Sequence, residues 1–172
     1  MDARLYHVQG EAEHVRAADQ LALLQEFYRD RLRLTSEHLA SARHVGRYQF
    51  NNTYQYIIAR EETHLQWVAD AIAKVGGPQP EAGLPGGPEP VSQQQAIEHD
   101  LERQRAFVER WRPRVAELTN ARHRKMLEVI LGEALEHAQF LAEAVAGQTD
   151  LLGRSSTGAG ERGTVLSNRW IE

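Results

Sequence analysis

Arg60-Glu61-Glu62-Thr63-His64 lies inside a longer run in which Tyr54, Ile57, Glu61, His64, Val68, Ile72 and Val75 recur at steps of three and four. That spacing places all seven on one stripe of an α-helix. The stripe is apolar above and below but carries a carboxylate and an imidazole in its middle. A buried carboxylate costs several kcal/mol unless a cation or a metal pairs with it. The run therefore predicts a core helix with a polar level built into it.

A second run repeats the theme. Leu127, Ile130, Ala134, His137, Leu141 and Val145 form one helical face, and Glu133 sits one turn before His137 on the same side, while Glu136 points toward the flank. Carboxylate and imidazole one turn apart on facing helices is the arrangement with which bundles hold iron or manganese. The alternative for such residues is a buried ion pair with no metal. Arg31, on the inner stripe of the first helix, is the cation available to neutralise Glu61, and His38 on the same stripe is read as a hydrogen-bonding partner.

Four helices are predicted. The first runs from about Glu11 to Val45, with Leu21, Leu24, Tyr28, Thr35, His38, Ala42 and Val45 inward and Asp19, Arg29, Asp30, Arg33 and Glu37 turned away. Gly46 and Asn51-Asn52-Thr53 signal a stop and a new N-cap. The second helix ends at Gly76-Gly77. Ser92 caps the third, whose stripe is Ile97, Leu101, Gln104, Val108, Trp111, Val115 and Leu118, and Pro113 is expected to kink it or break its last turn. The fourth follows Thr119-Asn120 and stops near Gly147.

Between the second and third helices lies a segment that contains Pro78, Pro80, Pro85, Pro88 and Pro90 together with Gly83, Gly86 and Gly87, and it cannot be helix or paired strand. A helix of about 25 residues spans roughly 37 Å. A Pro-rich linker extended at about 3.1 Å per residue covers a similar distance. The expected fold is thus an all-α four-helix bundle with a long crossover that makes helices two and three parallel, a simple up-down-up-down bundle being the alternative. At matching heights Glu61 and His137 then meet. Glu102 is the nearest carboxylate on the third helix, with Glu98 and Asp100 as rivals. Residues 1–150 are read as the bundle and 151–172 as a flexible tail whose Val165, Leu166, Trp170 and Ile171 are suited to dock on the bundle, a sister subunit or another partner.

Composition narrows the function. The chain of 172 residues has no cysteine, so disulfides, iron–sulfur clusters and thiolate zinc sites are excluded, and any metal must rest on His and carboxylates. Twenty basic and 24 acidic residues, a formal charge of −4, are interleaved along the helices, which argues against nucleic-acid binding. No run approaches the roughly 18 to 20 apolar residues of a membrane span, and the N-terminus lacks an apolar leader core, so a cytoplasmic protein is expected.

Arg60-Glu61-Glu62-Thr63-His64 and Ile130-Leu131-Gly132-Glu133-Ala134-Leu135-Glu136-His137 resemble the second and fourth helices of the ferritin-like superfamily, which includes rubrerythrins and bacterioferritins. The long connection between helices two and three also suits that family. The resemblance implies a site for two iron ions, or manganese, with Glu61 and Glu133 as bridges, His64 as a terminal ligand, and Glu136 or His137 completing it. Glu26 fits the family's first-helix ligand by its distance from Glu61, although it lies nearly opposite the apolar stripe. Glu102 is the third-helix candidate. Some relatives place the fourth-helix Glu where this chain has Ala134. The implied activity is redox chemistry on peroxide, dioxygen or ferrous iron, in a protein expected to form homo-oligomers. The competing expectation is a metal-free bundle, a scaffold or binding protein with a buried Glu/His/Arg network.

Overall fold

The computed structural model describes residues 3–81 and 92–152, with side chains described from residue 18 on. It consists of four helices: α1 (Ala3–Ala42), α2 (Tyr48–Val75), α3 (Gln93–Ala116) and α4 (Ala121–Val145). The expected all-α bundle is what the chain forms. α1 packs on α2 and α3, and α4 packs on α3 and α2, so α1/α4 and α2/α3 face one another across the diagonals.

Side-chain pairings fix the directions. Arg31 meets His64 and His38 meets Glu61, so α2 runs antiparallel to α1. Glu26 meets Arg114 while Glu37 meets Arg103, so α3 is antiparallel to α1 as well. α2 and α3 are therefore parallel, and their N-terminal ends are joined by a bond from the Arg47 amide to Gln93 Oε1 at 3.2 Å. That is the one-crossover order, in which the connection climbs back along the bundle. Residues 82–91 of the crossover and 153–172 of the tail, with the docking expected of it, lie outside the described residues. Leu151 and Leu152, assigned to the tail by sequence, are buried.

The helix ends follow local chemistry. Ser92 accepts from the Gln95 amide and Asn120 from the His123 amide, satisfying donors that a helix start leaves unpaired. α2 ends at Gly76 with φ 86°, a left-handed turn that glycine adopts without steric cost. Pro113 sits in the final turn of α3, which ends three residues later at Ala116. The start of α2 differs from expectation: the helix begins at Tyr48, ahead of Asn51-Asn52-Thr53, and the Thr53 hydroxyl donates back to the Gln49 carbonyl rather than capping. The structure also begins α1 earlier than the sequence signals, at Ala3.

The apolar core comes in two parts. One contains Leu24, Phe27, Leu65, Ile72, Phe107, Trp111, Leu127 and Ile130. The other contains Tyr54, Ile57, Ile97, Leu101, Ala138 and Leu141. Between them every helix contributes buried polar side chains: His38 from α1, Glu61 and His64 from α2, Gln104 from α3 and His137 from α4. The bundle is two hydrophobic halves separated by a polar belt.

Candidate functional site: a buried charge belt

Arg31 is the hub of the belt. It is 0 % exposed, and its Nη2 lies 3.1 Å from His64 Nδ1 and 3.4 Å from Glu61 Oε1. A guanidinium only donates, so Nδ1 of His64 must accept, and the ring proton is placed on Nε2. That Nε2–H donates to Glu133 Oε2 at 2.8 Å. Glu133 is clamped from the other side by Arg60, whose Nε and Nη2 donate at 3.0 and 2.9 Å in a two-pronged pair. Glu61, also 0 % exposed, receives His38 Nδ1 at 3.0 Å to each oxygen.

The result is a continuous chain of contacts through the core: Arg60, Glu133, His64, Arg31, Glu61, His38. Burial pushes Glu61 upward, but His38 and Arg31 beside it outweigh that and hold it at about 2. Burial opposes charge on His38, and the adjacent Glu61 carboxylate overcomes it, so His38 is raised. His64 is lowered, first by burial. Glu133 is lowered despite its burial because His64 and Arg60 bond to its charged form. Burial lowers Arg31, and Glu61 and Glu133 oppose the shift.

Two neighbours extend the belt. Tyr54 donates to Asp100 Oδ2 at 2.6 Å, and burial raises both groups. Gln104 Nε2 donates to the Ala134 carbonyl at 3.0 Å, which anchors α3 to α4 at this height. His137 differs from the rest. It is 0 % exposed, neither ring nitrogen has a hydrogen-bond partner, and burial drives it down to about 3, leaving a neutral imidazole. Its ring stacks on His64 with centroids 6.5 Å apart.

The structure thus brings together four of the seven residues that sequence put forward as metal ligands: Glu61, His64, Glu133 and His137. The other three lie elsewhere. Glu26 is one-third exposed on the outer α1–α3 seam, bonded to Arg110 and Arg114, whose bonds hold its carboxyl at about 2. Glu102 is exposed on the outside of α3, and Glu136 is half-buried on the flank of α4. At the belt's height the inward residue of α3 is Gln104, and Asp100 is the buried carboxylate one turn away. Sequence spacing gives Arg60 no site role and offers Asp100 only as a rival to Glu102. Gln104 lies on the apolar stripe of α3, and an amide at such a position is the signal in the sequence that it belongs to the belt.

The donor set bears on whether a metal fits. Both Glu61 oxygens and both His64 nitrogens are already bonded, and the guanidinium that bonds one of each is a fixed charge at the centre. At about 4 Å and an effective dielectric near 20, a divalent ion beside a unit positive charge meets roughly 8 kcal/mol of repulsion. Among the described residues no three His, Asp or Glu side chains are grouped so as to hold a metal ion. With Arg31 where it is, the belt does not accommodate the two-metal centre. No helix among the described residues is long and apolar enough to cross a membrane. Compared with protein-family models, characterised proteins and solved structures, the chain matches none.

Proposed function

We propose that this is a metal-free helical-bundle protein, a scaffold or binding module, whose core is locked by the buried Glu/His/Arg belt. The observation that carries it is the Arg31 guanidinium bonded to both members of the Glu61/His64 pair. A belt of paired charges gives specificity rather than net stability, because any slip of one helix by a turn would bury unpaired ions. Such a bundle keeps one register while its outer faces remain free to bind.

Association with a second copy belongs to the same proposal. Val129 and Leu135 on α4 are 42 % and 43 % exposed, and Gly132 between them has open space above it. We place the protein in the cytoplasm on the same footing.

The test is elemental analysis of untagged protein together with melting curves. A metal-free bundle carries less than about 0.1 transition-metal ion per chain and melts at the same temperature with and without a chelator. Stoichiometric iron or manganese lost on chelation, with a fall in melting temperature, refutes it. The second reading, a non-haem iron or manganese protein acting on peroxide, dioxygen or ferrous iron, is favoured by the convergence of Glu61, His64, Glu133 and His137 on one belt. It requires Arg31 to vacate its place.

A further inference from the structure

We infer that the outer face of α4 is a two-fold interface on which a second copy of this chain lies antiparallel, the two helices crossing at Gly132. The arrangement rests on the binding-module reading above and gives its self-association a face and a direction.

Gly132 stands near the middle of α4, which runs from Ala121 to Val145. Glycine is among the poorest helix formers, and a Cβ at this position would meet nothing within 4 Å in its own chain. The packing of the bundle therefore does not call for it. At the centre of an exposed face it lets a second helix approach closely, because no side chain holds the two backbones apart. The exposed Lys125, Glu128, Val129, Leu135 and Gln139 all lie within about 60° of it around the helix. Val129 and Leu135, two of the four large apolar side chains exposed among the described residues, flank it one turn to either side.

Charge sets the direction. Before Gly132 the helix carries Arg122, Arg124 and Lys125 against the single anion Glu128, an excess of two positive charges. After it come Glu136 and Glu143, two negative charges, since Glu133 is taken up inside by His64 and Arg60. In an antiparallel pair each positive half lies on the negative half of the other copy, whereas a parallel pair sets like charges side by side. Two-fold symmetry about Gly132 brings Lys125, seven residues before the axis, level with Gln139, seven after it, and between Glu136 and Glu143 of the second copy. Val129 of one copy and Leu135 of the other come to the same height, one on each side of the glycine contact. A contact of one helix per copy is at the small end of stable interfaces, so the dimer is expected at micromolar chain concentrations and above.

The experiment joins sedimentation equilibrium to cysteine cross-linking, which is clean here because the chain has no cysteine of its own. Wild type is expected to dimerise. Gly132→Glu, which sets a side chain and like charges on the axis, should weaken the dimer at least about 10-fold with helical circular dichroism unchanged. Lys125→Glu should weaken it too, and Lys125→Glu combined with Glu143→Lys should bring it back. On mild oxidation Gly132→Cys is expected to link to its copy. Lys125→Cys, whose two copies lie about 21 Å apart along the pair, should not link to itself but should link to Gln139→Cys when the two proteins are mixed. A chain that stays monomeric at millimolar concentration overturns the interface and the self-association together. A dimer that Gly132→Glu leaves intact, or one in which Lys125→Cys links to itself, overturns the face or the direction while self-association stands, and neither result touches the metal content by which the metal-free reading is judged.

Discussion

Arg31 with Glu61 in the belt, and Arg110 and Arg114 with Glu26 on the outer α1–α3 seam, are the same chemistry in opposite surroundings. In the belt both partners are 0 % exposed, and every bond replaces hydration that water would have provided. On the seam Arg110 is 52 % and Glu26 33 % exposed, and Trp111 lies beneath both arginines with its indole N–H donated to Asp30. The shorter contact is the outer one, at 2.6 Å against 3.4 Å. Distance nevertheless misleads about importance. A solvated pair is worth roughly 0 to 1 kcal/mol. Breaking a buried pair from one side costs about 3 to 5 kcal/mol, because an uncompensated charge is left in the core.

The largest effect should come from the hub. Glu61→Gln, which strands Arg31 and His38, is expected to lower the unfolding free energy by about 3 to 5 kcal/mol in urea. Arg31→Met paired with Glu61→Leu should recover most of that loss, since an apolar core of similar volume needs no pairing. A double variant no better than Glu61→Gln would show that the belt adds net stability and would erase the contrast with the seam.

Acid should act on the belt in two stages. His137 is lowered to about 3, so the unfolded chain takes up a proton first, and stability falls as the pH drops from about 6.5 toward 3. Glu61, held at about 2, contributes stability that is complete above its ordinary value near 4.5 and is lost as the pH approaches 2. His137→Leu should make the upper stage shallower, His64 and His123 being lowered as well, and leave stability at pH 7 unchanged or higher, because it removes unpartnered nitrogens from the core. Unfolding midpoints collected across that range would show an unaltered slope if His137 were not the group responsible.

Smaller changes follow outward. Glu133→Gln, at a belt end where Arg60 is 18 % exposed, is expected to cost about 1 to 3 kcal/mol. Glu26→Ala should cost under about 1 kcal/mol, and the cost should vanish in high salt. A loss from Glu26→Ala as large as that from Glu61→Gln would mean that solvent does not govern the difference.

Much of this was legible from spacing. The α3 stripe from Ile97 to Leu118 is buried throughout, Ser92 caps where expected, and Gly76 ends α2. Arg31 was legible too, as a cation on an inner stripe with a carboxylate opposite. Where the sequence misled, a tertiary partner decided. Glu37 appeared to face away, yet it is 8 % exposed with Arg103 of α3 reaching it at 3.6 Å. His123 stands beside the Asn120 cap at the start of α4, where a sequence pattern gives no sign of burial, yet it is buried beneath Gln20 of α1. Gln104 has its meaning only through the Ala134 carbonyl, and no pattern along a single helix reveals an acceptor 30 residues away. At Asn51-Asn52-Thr53, residues that favour helix starts are carried inside a helix whose apolar stripe had already begun at Phe50.

The belt is divided unevenly between the two helical hairpins. Arg31, His38, Glu61 and His64 all belong to α1 and α2, so the first hairpin to leave the ribosome already contains both partners of Glu61. Glu133 and His137 arrive with the second hairpin, Glu133 together with the task of meeting Arg60. Nascent chains therefore have an internal neutralisation scheme before the second half of the bundle exists, and assembly is left to match one residual anion to a waiting arginine.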